Sequence, residues 1–311
     1  MARISPEMHL GNNFLPGQFS QKNPAPAHFI FHPSRNVLPF GPIQGYSHHR
    51  HRGVRMKIRI ILPVANSQFN SAVATAVDTV KAPDCHISIV NLNQGPNTIE
   101  SRWDTYLAGP EIIRACQDAQ RDGIDGIFID CFGDPLVPVA REAVDIPVIG
   151  GFGAALTTAA MIAQRYTIIS VSQNVVAMNR ALVREMGMEN NLVSMPVVNM
   201  PVGSLSDTDT LMNRLMDVSA NAVRNDGAQA IILGCTGMLG VAKPLEKALQ
   251  VQGIPAPVID PTTTAMTMLQ GLIRNGLSQS RLTYPPALNF PQATGKDRAP
   301  AETGEESVDA P

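Results

Sequence analysis

Apolar, β-branched runs recur along the chain and alternate with segments of helical period. The runs begin near Ile58 (IRIILPV), Cys85 (CHISIV), Ile124 (IDGIFIDC) and Pro147 (PVIGG), and again near Tyr166, Leu192, Ala228 and Pro257. Between them, EIIRACQDAQ, VVAMNRALVREMG and TLMNRLMDVSANAV carry the Ala, Met, Leu and Arg content and spacing that predict helices. Strands that are apolar without interruption, flanked by amphipathic helices, belong to parallel sheets covered on both faces. The two sets have similar spacing, so the pattern predicts an α/β protein of two pseudo-symmetric parallel-sheet α/β/α units with a cleft between them.

The symmetry is visible in the residues themselves. RDGIDGIFIDCFGDP (121–135) and RNDGAQAIILGCTGM (224–238) each end a helix at Asp-Gly, run through a short apolar strand and close in a Cys-X-Gly loop. Gly123 precedes Cys131, and Gly227 precedes Cys235, by the same eight positions. Both cysteines fall at the carboxyl end of a third strand, where open parallel sheets bind ligands. One such cysteine would be packing; two in register across a repeat point to paired chemistry. A thiolate can take a proton from a carbon acid while a thiol on the far side returns one, which inverts a stereocentre without a cofactor. Gly133 and Gly237 permit tight turns whose N–H groups would face a ligand and steady an enolate oxygen. Helices expected to start near Asp134 and Leu239 would favour the thiolates. Cys85 and Cys116 have no repeat partners and are expected to be packing residues.

Composition narrows the classes. The chain has 311 residues, 44% hydrophobic, and a net charge of −2, which gives no basic face for nucleic acid and no apolar stretch long enough for a membrane span. A small molecule is the expected partner. Four cysteines form neither a disulfide framework nor a metal-binding spacing, which suits reduced thiols in the cytoplasm. Six of seven histidines precede Met56 and only His86 follows it, so no metal site is expected. Residues 1–55 read as a disordered extension and 284–311 as a disordered tail. No GxGxxG or Walker spacing occurs and no lysine lies near either cysteine loop, so no cofactor is expected. Asn66 and Ser67, with Ser172 and Gln173 at the matching place, either meet substrate or cap helices. Asn66, Phe132, Gly133, Ser172, Thr236 and Gly237 are the substrate-binding candidates. Glu100 is expected at the surface, and Asp134 as a helix-start residue.

CFGDP (131–135) and LGCTGM (233–238) resemble the two cysteine motifs of the aspartate/glutamate/hydantoin racemase superfamily, most closely its hydantoin and allantoin racemase branch. GPNTIES (95–101) and DIPVIGGFGAAL (145–156) resemble two further segments of that branch, so the likeness covers roughly residues 56–282. It implies a cofactor-independent, homo-oligomeric racemase with Cys131 and Cys235 as acid/base pair. It also implies two domains, 56–152 with 262–283 and 153–261, with the site between them. Glutamate racemases carry His where this chain has Gly237, which argues against free glutamate. Asn66, in LPVANSQFN, is the counterpart of the branch's Asn-Pro-Asn-Thr turn. Ala154 replaces an acidic residue of many relatives and implies a less polar pocket. The implied substrate is a hydantoin, allantoin or a related amino-acid derivative. A maleate-type isomerase, an arylmalonate-type decarboxylase and a non-catalytic binding protein remain alternatives, though a one-cysteine decarboxylase would lack one of the two thiols.

Overall fold

The computed structural model describes residues 56–286; the expected extension 1–55 and the expected tail beyond residue 286 lie outside it. Strands β1 (Met56–Leu62), β2 (Cys85–Asn91), β3 (Gly126–Ile129) and β4 (Val148–Gly150) form one parallel sheet in the order β2-β1-β3-β4. Strands β5 (Tyr166–Ile169), β6 (Leu192–Ser194), β7 (Ala230–Leu233) and β8 (Val258–Ile259) form a second, ordered β6-β5-β7-β8. The second order is the first with four added to every label. The central strands GIFI and AIIL are buried at every position, as strands covered on both faces must be. All eight apolar runs of the sequence become strands. LVSMPVVNM pairs as a strand only over its first three residues, with a further bridge between Ser170 and Val197.

Helices α1 (Asn70–Asp78), α2 (Arg102–Arg121) and α3 (Val137–Ala143) accompany the first sheet, and α5 (Gln173–Glu185), α6 (Thr208–Arg224) and α7 (Ala242–Val251) the second. Two helices change sides. α4 (Gly151–Ile162) leaves β4 and lays Phe152, Ala155, Leu156 and Ala159 against Tyr166, Ile168 and Ile232 of the second sheet. α8 (Pro261–Arg274) follows β8 but packs Ala265, Met266, Leu269 and Ile273 into the core of the first. Gly126 in β3 leaves the space that Ile273 and Leu269 fill. Beyond α8, Gln279 donates to Val144 and Ile146 carbonyls and Arg141 donates to the Tyr284 hydroxyl, so the chain stays bound to the first half as far as Tyr284, inside the stretch expected as tail.

The repeat is kept atom for atom at the strand ends. Gly123 and Gly227 both adopt left-handed φ, +70° and +73°, which their missing Cβ permits. Asp130 N–H donates to Ile61 O at 2.9 Å and Gly234 N–H to Ile169 O at 2.8 Å. Asp134 N–H then closes on Cys131 O and Met238 N–H on Cys235 O, at 3.2 and 3.1 Å. The following helices start later than the sequence suggested, at Val137 and Ala242. After the first cysteine the chain first passes through left-handed Asp134 and Leu136, φ 44° and 56°, which no hydrophobic pattern encodes. No helix among the described residues is long and apolar enough to cross a membrane.

Candidate active site

Cys131 and Cys235 line one small cavity at the carboxyl ends of β3 and β7, about 50 Å³ in volume. Its wall is largely apolar: Leu62, Val64, Phe69, Val73, Ile99 and Val202. The polar lining consists of the two thiols, Thr98, Asp130, Thr236 and Gly237. Of the substrate-binding candidates, Thr236 and Gly237 reach the cavity wall, and four do not. Asn66 spends its amide within the first half, donating to Asn97 O at 2.8 Å and accepting from Gln68 N–H. Phe132 is buried against the second sheet's core, edge-on to Phe152 with ring centroids 5.1 Å apart. Gly133 lies beside Met178. Ser172 precedes α5 without capping it, and its buried Oγ has no partner among the described residues. Ala154 is core rather than pocket.

The glycine amides beside the cysteines have a different use from the one expected. Gly237 N–H points at its own Cys235 Sγ at 3.3 Å, and Gly133 N–H bonds to Cys131 sulfur. Burial nevertheless dominates both thiols. It pushes Cys235 up to about 12 and Cys131 well above the usual thiol range, against the lowering that the amides exert. The expectation of thiols acidified by helix starts is therefore reversed: the helices begin several residues further on and desolvation wins. A thiol so placed is a reluctant acid, and its thiolate, once formed, a strong base suited to a weak carbon acid.

Two carboxyls that the sequence placed elsewhere, or passed over, shape the site. Glu100 is half-buried rather than surface-exposed. Ser101 Oγ accepts from Asp104 N–H and donates to the Asp104 carboxylate, which also accepts from Glu100 N–H, and together these bonds fix the start of α2. From there Glu100 Oε1 accepts from Val202 N–H, 3.3 Å away in the other half, and its charge raises Cys235. Asp130, next to Cys131, is fully buried. Its carbonyl accepts from Thr236 Oγ1 at 3.3 Å and its Oδ1 from Thr262 Oγ1 at 3.0 Å. Thr262 is set there by Asp260, which caps α8 by accepting from Thr262 and Thr263 N–H. Asp130 Oδ2 has no partner among the described residues. Burial lifts its carboxyl to about 7, helped by the neighbouring Asp260 charge and opposed by the Thr262 and Thr236 hydroxyls. The signal was present in the repeat: the residue before the second cysteine is Gly234, so the halves differ in charge and size at the position that precedes each cysteine. Asp134, by contrast, turns away from the cavity and gives both oxygens to Phe152 and Gly153 N–H at the start of α4, at 2.7 and 2.9 Å.

A family model for Asp/Glu/Hydantoin racemase matches residues 58–269. A hydantoin racemase of Paenarthrobacter aurescens is 34% identical over 228 residues, 73% of this chain and 94% of that protein. The structure of an allantoin racemase from Klebsiella pneumoniae superposes with a TM-score of 0.70 at 29% identity, covering 76% of this chain and 97% of the other. A maleate isomerase from Pseudomonas putida S16 shares the fold at 15% identity, with a TM-score of 0.56 over 70% of this chain and 92% of its own.

Proposed function

This chain belongs to the Asp/Glu/hydantoin racemase family and is an isomerase of the racemase type, and from that footing we propose that it racemises a small, uncharged carbon acid, a 5-substituted hydantoin or allantoin, with Cys131 and Cys235 as its two bases. The observation that carries the reading is that the two repeat-related thiols, one from each half, line a single cavity. One thiolate removes the proton from the stereocentre, the planar enolate forms, and the opposite thiol protonates the other face. No cofactor enters this scheme. In a hydantoin the ring carbonyl beside the stereocentre acidifies the C–H, so bases of high proton affinity meet an acid weakened less than that of a free amino acid. The Thr236 hydroxyl at the cavity wall could hold a ring carbonyl only by exchanging its bond to the Asp130 carbonyl for one to the substrate. The same reading takes residues 56–152 with 262–283 as one domain and 153–261 as the other, because α4 and α8 exchange sides.

The test is solvent deuterium exchange at the stereocentre together with chiral chromatography, on 5-substituted hydantoins, allantoin, aspartate and maleate. Cys131→Ser and Cys235→Ser should each lower racemisation by at least about 100-fold, the ordinary contribution of a positioned base or acid. Full activity in either variant rejects the two-base assignment. Turnover of maleate with none of hydantoin would favour the isomerase alternative instead.

A further inference from the structure

The cavity has a charge asymmetry that neither thiol explains. Among its lining residues there is no Lys, Arg or His, and the one ionisable group besides the thiols is Asp130. The other charged groups that act on its thiols and on Asp130 are also acidic: Glu100 on Cys235, Asp134 on Cys131 and Asp260 on Asp130. An anionic ligand would find no countercharge there and at least one repelling carboxylate. Asp130 is held in place by Thr262 through Oδ1, while Oδ2 is buried without a partner. Buried polar atoms are satisfied in the great majority of cases, so an orphan on a residue that lines the cavity marks a place for a ligand donor. At the equivalent place in the other half there is no room for such a group, since a Cβ on Gly234 would stand 2.6 Å from Ile169 O. The site is therefore two-fold in its thiols and one-sided in its carboxyl.

We propose that Asp130 sets the substrate class of this site: its free carboxyl oxygen accepts a hydrogen bond from an N–H of an uncharged amide or ureide ring, and its charge keeps carboxylate ligands out. This rests on the racemase reading and deepens it. It gives a physical reason why a cyclic ureide would be taken and a dicarboxylate, or a free amino acid, refused. It also makes binding directional, because only one edge of the ring can face the single carboxyl while the stereocentre lies between the thiols.

Binding can be measured without turnover, by calorimetry near pH 8 with unsubstituted hydantoin, its 1-methyl and 3-methyl derivatives, and malonate. For the unaltered protein, malonate should bind at least about 100-fold more weakly than hydantoin, and methylation at one of the two nitrogens should weaken binding by about tenfold or more. In Asp130→Asn, malonate should tighten and hydantoin weaken, each by about tenfold. The proposal is overturned if malonate rivals hydantoin on the unaltered protein, if neither methylation matters, or if a folded Asp130→Asn leaves the ratio of the two ligands unchanged. The first two results need no variant. Racemisation of a 5-substituted hydantoin by the same preparation separates the two claims: activity with an unchanged ratio removes only the role of Asp130, and inactivity with the expected ratio removes only the racemase reading.

Discussion

At the residue scale, proton affinity is set by burial more than by neighbours. Both thiols accept backbone N–H bonds, which favour the thiolate, yet both are raised, Cys235 to about 12. Thiolate should therefore form only at high pH in the ligand-free protein. Iodoacetamide labelling of Cys131 and Cys235, followed by peptide mass spectrometry, should accelerate steadily through pH 9 with no plateau near the ordinary thiol value of about 8.5. A plateau there would mean the sulfurs are better solvated than their surroundings indicate. The same cause acts on Asp130 with a consequence for stability. Its folded value, about 7, lies above the usual 3.8, so the folded protein holds this proton more tightly than the unfolded chain does. That contribution is complete below about pH 4 and is lost as pH rises through about 7. Asp130→Asn removes the dependence, and near pH 8 should stabilise the protein by up to about 4 kcal/mol while impairing its binding of hydantoin. Urea unfolding near pH 4 and near pH 8 measures it; equal gains at both would exclude the ionisation as cause. The cysteines were legible because a repeat exposes them. Asp130 was overlooked because its meaning lies in a difference between the repeats, and Glu100 because only the folded chain brings Val202 to it.

At the element scale, hydrophobic runs decide strands, and all eight were legible from them. Helix starts in the cysteine loops were not, because they depend on left-handed Asp134 and Leu136 and on where the Asp134 carboxylate goes. It goes to α4. β4 runs straight into that helix through Gly150 and Gly151, and Asp134 closes over the junction to take the first free N–H groups. A Cβ on Gly150 would fall on the Asp134 carboxylate. Gly150→Ala should therefore cost about 2 kcal/mol or more, as overpacking against a held group does. In a double-mutant cycle, Asp134→Ala should absorb much of that cost, because the two changes strike one contact. Strict additivity in chemical denaturation would place the damage elsewhere.

At the scale of the whole molecule, the two sheets repeat one another but do not stand alone. α8 supplies Ala265, Met266, Leu269 and Ile273 to the core of the first sheet, although it follows the last strand of the second. Its Gln270 accepts from Ala82 N–H at 2.8 Å and donates to Val80 O at 3.2 Å, satisfying backbone groups in the turn before β2. α4 makes the reverse crossing. Each sheet is thus roofed by a helix that the other half holds by its start: Asp134 of the first half caps α4, and Asp260 of the second caps α8. Opening one half must strip a core face from the other, so the described region should unfold in one step. Far-UV circular dichroism and hydrogen exchange through urea should give the same midpoint for peptides of both sheets. Ending the chain at residue 260 should abolish that transition altogether, since the first sheet would expose Phe128 and its neighbours along the face, marked by Gly126, that α8 covers. A chain so shortened that still unfolded cooperatively, at half the amplitude, would show the halves to be independent. The cavity between Cys131 and Cys235 would then depend on a docking that could open, whereas helices exchanged in this way hold the two strand ends at a fixed separation.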